Sequence, residues 1–97
     1  MKFMVLVKFT EQGVKAIGDT LERAGRFRMS VQAAGGNIIS QFWCLGTYDG
    51  CVIFDVPSEE DAMAVILGLE REGNVRTETH FAFSESELKL FLEKVNS

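Results

Sequence analysis

Several residue types are scarce in this 97-residue chain, and each scarcity closes off a class of function. One histidine and two cysteines, with no recognised ligand spacing among them, leave no zinc site to expect, and no cofactor is expected either. Cations are outnumbered: ten Lys and Arg stand against fourteen Asp and Glu, a net charge of −4. That balance repels a phosphate backbone unless the cations gather on one face, and no cluster is visible, so nucleic acid is not an expected partner. No apolar run approaches the ~20 residues of a membrane-spanning helix. The opening MKFMVLVKF is apolar but broken by Lys8, and no small-residue cleavage site follows. It therefore reads as a strand rather than a signal peptide, and the expectation is a cytoplasmic protein with no membrane partner. The scattered glycines form no phosphate-cradling loop. A single proline and a hydrophobic content of 46% exclude a disordered chain. One domain over residues 1–97 with one modest core is what such a length supports.

What is present is a hairpin, Asn37 to Val56, whose two β-branched and aromatic runs flank Gly46-Thr47-Tyr48-Asp49-Gly50. Before it, Lys2 to Phe9 is apolar on both faces and reads as a central strand. A helical turn at Val14 to Ile17 precedes a longer helix that Asp19 or Thr20 would cap. Leu21, Ala24, Phe27, Val31 and Ala34 are expected to form its buried stripe, with Glu22, Arg23, Arg26 and Arg28 in water. Gly35-Gly36 ends that helix. After Pro57, Ser58 caps a helix with a buried face of Ala62, Met63, Ile66, Leu67 and Leu69. Asn74 to Phe83 alternates as a strand, and Ser84 to Glu87 is a capping box that launches a last helix bearing Leu88, Phe91, Leu92 and Val95.

This order predicts an α+β, ferredoxin-like βαββαβ sandwich, a four-stranded antiparallel sheet with helices on one face, plus a C-terminal helix. The side-chain period assigns Phe42, Val52 and Phe54 to the covered face. It assigns Met4, Leu6, Ile39, Trp43 and Ile53 to the open one, with Trp43 opposite Ile53 and Gln41 opposite Asp55. That register needs a loop of about five residues or a bulge at the turn, and it places Cys44 and Cys51 on opposite faces as free thiols. The open face then carries an apolar patch that a second copy, or part of the last helix, would cover.

The stretches LVKFTEQGVKAI, AGG at Ala34 to Gly36, FWCLGTYDGCVI and GNVRTETHFAF resemble the GYD family of the dimeric α/β-barrel superfamily. The glycine, tyrosine and aspartate of that name fall on Gly46, Tyr48 and Asp49. The resemblance implies a ferredoxin-like protomer whose sheet packs on another subunit's. It implies little about activity, since the superfamily spans cofactor-free monooxygenases, haem-processing enzymes and lactone isomerases.

Two sets of residues are candidates for a site. Tyr48 and Asp49 either border a pocket or serve the turn itself, Asp49 by accepting backbone donors. Lys8, Asp55, Arg76, Glu78 and His80 share the open face with Trp43, and form either the lining of a small-molecule cavity or a network of surface ion pairs. In the catalytic reading His80 is a general base, with Arg76 or Tyr48 steadying an oxyanion. In the binding reading Lys8, Trp43, Asp49, Asp55 and Glu78 contact the ligand. The expected function is a small homo-oligomeric protein binding a small molecule between packed sheets. The alternative is a cofactor-independent monooxygenase- or isomerase-like enzyme acting on a small organic substrate.

Overall fold

The eight residues from Lys2 to Phe9 are apolar on both faces because they form a central strand. In the computed structural model, which describes all 97 residues, β1 (Lys2–Phe9) pairs with β3 (Gly50–Asp55) on one side and β4 (Val75–Phe81) on the other. β2 (Asn37–Trp43) lies outside β3, giving an antiparallel sheet in the order β2-β3-β1-β4. Between β1 and β2 run α1 (Glu11–Lys15), a 3₁₀ turn (Ile17–Asp19) and α2 (Thr20–Ala33). α3 (Glu59–Glu70) joins β3 to β4, and α4 (Glu85–Val95) follows. The fold is the expected α+β ferredoxin-like sandwich.

The expected caps at Ser58 and Ser84 are in place: Ser58 Oγ accepts from Asp61 N at 3.2 Å, and Ser84 and Glu87 complete a reciprocal box. Neither Asp19 nor Thr20 caps α2. The Thr20 hydroxyl donates back to Ile17 O at 2.6 Å instead, which ties α2 to the 3₁₀ turn before it. Gly35, at φ +89°, ends α2 in the left-handed conformation that only glycine adopts cheaply. Gly36 is required for another reason, because a Cβ there would sit 1.9 Å from Asp55 O.

The core fills the covered face. Phe3, Val5, Val52 and Phe54 from the central strands meet Phe27 and Val31 of α2 and Ala62, Val65 and Ile66 of α3. Phe54 is wholly excluded from solvent and stands edge-on to Phe27 at 5.6 Å. Each such side chain contributes about 1.5–3 kcal/mol.

Three more expectations are corrected. In α2 the buried stripe contains Arg23, 6% exposed, while Leu21 is 73% exposed, because α2 rolls its Arg23–Phe27–Val31 line toward the sheet. In α3, Val65 is buried, whereas Met63 and Leu67 are about half exposed, at 53% and 54%. In the hairpin, Trp43 lies opposite Gly50 and Gln41 opposite Val52, with a bulge at Ile39 between Ile38 and Ser40. The irregularity thus sits inside β2 as well as at the six-residue turn from Cys44 to Asp49. Since a one-residue offset inverts a strand, Trp43 moves to the covered side and Phe42 to the open one. Both cysteines are free, as expected; Cys51 lies opposite Phe42 on the open side, and burial first, with Cys44 second, pushes its thiol up.

α4 does not cover the open face either. It has no buried residue, and its Phe91 ring meets Phe83 edge-on at 5.0 Å. Leu88, Leu90, Leu92 and Val95 stay exposed on an elongated molecule measuring 53 × 31 × 18 Å. No helix is long and apolar enough to cross a membrane.

Candidate functional site

The turn that joins β2 to β3 folds back onto β1, held there by two backbone-directed bonds and closed on itself by a third. Cys44 N–H donates to Asp49 O (2.8 Å), Asp49 N–H to Val7 O (2.8 Å), and the Asp49 carboxylate accepts from Phe9 N–H (2.8 Å). Asp49 therefore extends the sheet ladder past the end of the hairpin: its carbonyl closes the turn, while its N–H and its carboxylate find their partners on β1. Lys8 Nζ adds a fourth tie by donating to Thr47 O at 3.0 Å.

So anchored, Tyr48 extends toward the open face. Its hydroxyl donates to Glu78 Oε1 at 2.9 Å, and Glu78 Oε2 lies 2.7 Å from His80 Nε2. Glu78 and His80 are two residues apart on β4, and so on one face, beside Leu6 and Met4 of β1. The result is a continuous Tyr48–Glu78–His80 chain bordered by the half-buried Met4, Leu6 and Ile53.

Bonds from His80 first, and from Tyr48 second, hold the Glu78 carboxyl below the usual carboxylate range. The same carboxylate, chiefly through its hydrogen bond, raises the Tyr48 phenol above its ordinary value, so Tyr48 stays protonated. An ionised carboxylate only accepts, so His80 Nε2 carries a proton and, in the neutral ring, Nδ1 keeps its lone pair. The hydroxyl hydrogen of Tyr48 is committed to Glu78, which leaves the phenolic oxygen as an acceptor. The chain thus presents two acceptors, the His80 Nδ1 and the Tyr48 oxygen, to whatever meets this face.

The remaining candidates divide. Arg76 stands directly opposite Lys8, two cations side by side one ladder step beyond Glu78. Asp55 is bonded to Asn37 Nδ2 at 3.0 Å and pairs with Lys2, four residues along β1 from Leu6, roughly 13 Å away. Trp43, on the other face, is separated from the chain by the sheet itself. No group of three or more His, Cys, Asp or Glu is arranged to hold a metal ion. One residue that polarity alone consigned to solvent is Arg23. Its spacing, four before Phe27 and eight before Val31, was the signal that it belonged to the buried stripe.

The two ends of the chain's other shared stretches also meet. Thr10 Oγ1 donates to Gly73 O (2.6 Å), Thr10 N–H to Asn74 O (3.1 Å), and Gln12 Nε2 to Glu72 O (2.9 Å) and Asn74 Oδ1 (3.0 Å). The FTEQG and GNV segments are therefore one structural knot that locks the exit of β1 to the entrance of β4.

A family model described as GYD domain matches residues 3–92. Among solved structures the chain is similar to 5-chloro-2-hydroxyhydroquinone dehydrochlorinase from Burkholderia phenoliruptrix AC1100, in complex with 2,5-dihydroxybenzoquinone. The TM-score is 0.65 over 89% of this chain and 97% of that one, at 12% sequence identity. Identity that low carries the fold alone. No curated protein sequence matches.

Proposed function

The chain belongs to the GYD domain family, and from that premise we propose that it self-associates through the open face of its sheet and binds there a small organic molecule bearing hydroxyl groups. The observation that carries this reading is the Tyr48–Glu78–His80 chain set among Met4, Leu6 and Ile53. Apolar side chains on an uncovered sheet favour a second surface, and a hydrogen-bonded polar chain among them offers acceptors to a donor-rich ligand. The exposed apolar flank of α4 and Phe42, 63% exposed, extend the same demand for a partner. A dihydroxylated ring of the kind held by the structurally similar dehydrochlorinase has the size and the donors that such a face would accept.

Native mass spectrometry of the purified protein tests the association: an even-numbered oligomer is expected, and a 10.8 kDa species alone at micromolar concentration overturns it. Catechol is a suitable probe for the ligand. It should shift the His80 ring resonances saturably, while its dimethyl ether, which has no donor, should not. Equal shifts from the two compounds would remove the acceptor argument.

A second reading, an enzyme that uses His80 as base, is favoured by one detail. With Nε2 held by Glu78, Nδ1 remains available to take a proton from a bound hydroxyl. Turnover of a hydroxylated aromatic that survives His80→Gln unchanged would remove it.

A further inference from the structure

On the opposite side of the sheet, under the start of α2, lies a cavity that the open-face reading does not use. It measures about 50 Å³ and is partly open to solvent. Phe9, Phe27, Val52, Leu69 and Val75 give it an apolar wall, and Gln41 and Trp43 line it from β2. Gly50 lines it without a side chain; a Cβ at that position would press on Phe42 O at 3.2 Å and meet Trp43 Cδ1 at 3.7 Å and Val7 Cβ at 3.8 Å.

One charge lines this cavity, Arg23, and it is 94% buried, being 6% exposed. Its Nη1 donates to Ala16 O at 2.8 Å and its Nη2 to Thr20 Oγ1 at 3.3 Å, both neutral acceptors. The ion pairs of Lys and Arg with carboxylates are Lys15–Glu11 and Arg26–Glu72, so no carboxylate neutralises Arg23. Of five N–H donors on a guanidinium, two are used. No fully buried side-chain nitrogen or oxygen lacks a partner, so the unbonded Nε must reach solvent, and the opening that Arg23 lines is this cavity. A buried cation without a counter-charge is costly, and a neutral carbonyl and hydroxyl offset that cost only in part.

We infer that this cavity is a binding site for a small organic monoanion, its carboxylate paired with Arg23 and its short apolar tail against Phe27, Val52 and Leu69. The N–H donors left on the guanidinium suit carboxylate oxygens, and the cavity volume limits the body to a few carbons. The site is independent of Tyr48, Glu78 and His80, which face the other side of the sheet.

Butyrate is the probe, and the chain carries its own reporter, since Trp43 is the sole tryptophan and lines the cavity. Butyrate should change Trp43 emission saturably in the millimolar range and shift the backbone amide resonances of Phe27, Gly50 and Val52. Butanamide, of the same shape without the charge, should bind at least tenfold more weakly. Arg23→Met keeps the length and apolar stem of the side chain, and should lose butyrate binding by a similar factor. Because Arg23 also ties Ala16 to α2, Gly50→Ala is the companion variant: it leaves Arg23 in place, narrows the cavity, and should weaken butyrate at least tenfold. The inference is overturned if the wild-type protein gives no saturable response to butyrate, if butanamide binds equally well, or if folded Arg23→Met and Gly50→Ala proteins bind butyrate as the wild type does.

Discussion

The two faces of the sheet are made from the same strands and end in opposite conditions. Along β3, Val52 and Phe54 are buried at 2% and 0%, while Cys51, Ile53 and Asp55, alternating with them, are only half-buried. The covered face has been completed by α2 and α3 within one chain. Its counterpart carries apolar side chains of similar size with nothing of the same chain above them. The difference teaches how far burial by this chain's own helices extends, and which face they leave open.

Neighbouring residues of β3 provide the sharpest way to break that comparison. Phe54→Ala should cost about 3–5 kcal/mol, through lost burial and the cavity left beside Phe27. Urea unfolding should show this loss undiminished across protein concentrations. Ile53→Ala, one residue away on the other face, should cost less, and its cost should grow with protein concentration if a second copy covers the open face. A concentration-independent Ile53→Ala effect would mean that the two faces differ in exposure only. Ile53→Asp should go further and release the protomer in sedimentation while leaving the circular dichroism of the fold unchanged.

Smaller effects probe the polar parts. Ser84→Ala removes the side-chain half of the α4 capping box and should lower stability by about 1 kcal/mol, unless α4 frays independently of the sheet. Acid should act through carboxyls held below their ordinary range: Glu70 by Thr77, Glu78 by His80 and Tyr48, and Glu87 by the Ser84 backbone and hydroxyl. Such groups stabilise the folded state above the unfolded carboxyl value of about 4.3, and this contribution is lost as pH falls through their depressed folded values. Unfolding midpoints measured from pH 6 down to pH 2 should therefore decline mainly below pH ~4. Smallest is the split within the open-face chain. His80→Ala should raise the Glu78 titration midpoint more than Tyr48→Phe does, because the bond from His80 has the larger influence on it. The reverse order, read by carboxyl NMR, would make Tyr48 the senior partner.

The architecture was legible in the sequence where local signals and pattern agreed. The KFMVLVKF run, the alternation through Val75 to Phe81, Ser58 and Ser84 as caps, and Gly35-Gly36 each point to the same element, and each holds. The site was legible only in part. Glu78 and His80 were placed together by their two-residue spacing, but Tyr48 reaches them only because the turn is folded onto β1, a tertiary event that no local pattern encodes. Trp43 was placed on the wrong side because a bulge is one extra residue and leaves no mark in the composition. Arg23 was assigned to water by its charge, although its helical position is that of a core residue. Polarity and period gave opposite answers there, and period won because Ala16 O and Thr20 Oγ1 receive the guanidinium.

The bulge at Ile39 has a further consequence, for growth rather than for register. β2 is an outer strand, and a bulged outer strand is a poor template for another chain. On the far side, Thr77 of β4 has both its backbone N–H and its hydroxyl occupied by Glu70, at 2.9 and 2.6 Å, so that border is blocked as well. A bulge on one border and the occupied Thr77 on the other disfavour strand addition, so if copies meet through the open face the expected assembly is a closed pair. Deleting Ile39 should rejoin Ile38 and Ser40 into one regular ladder and leave a straighter border, a better template for strand addition.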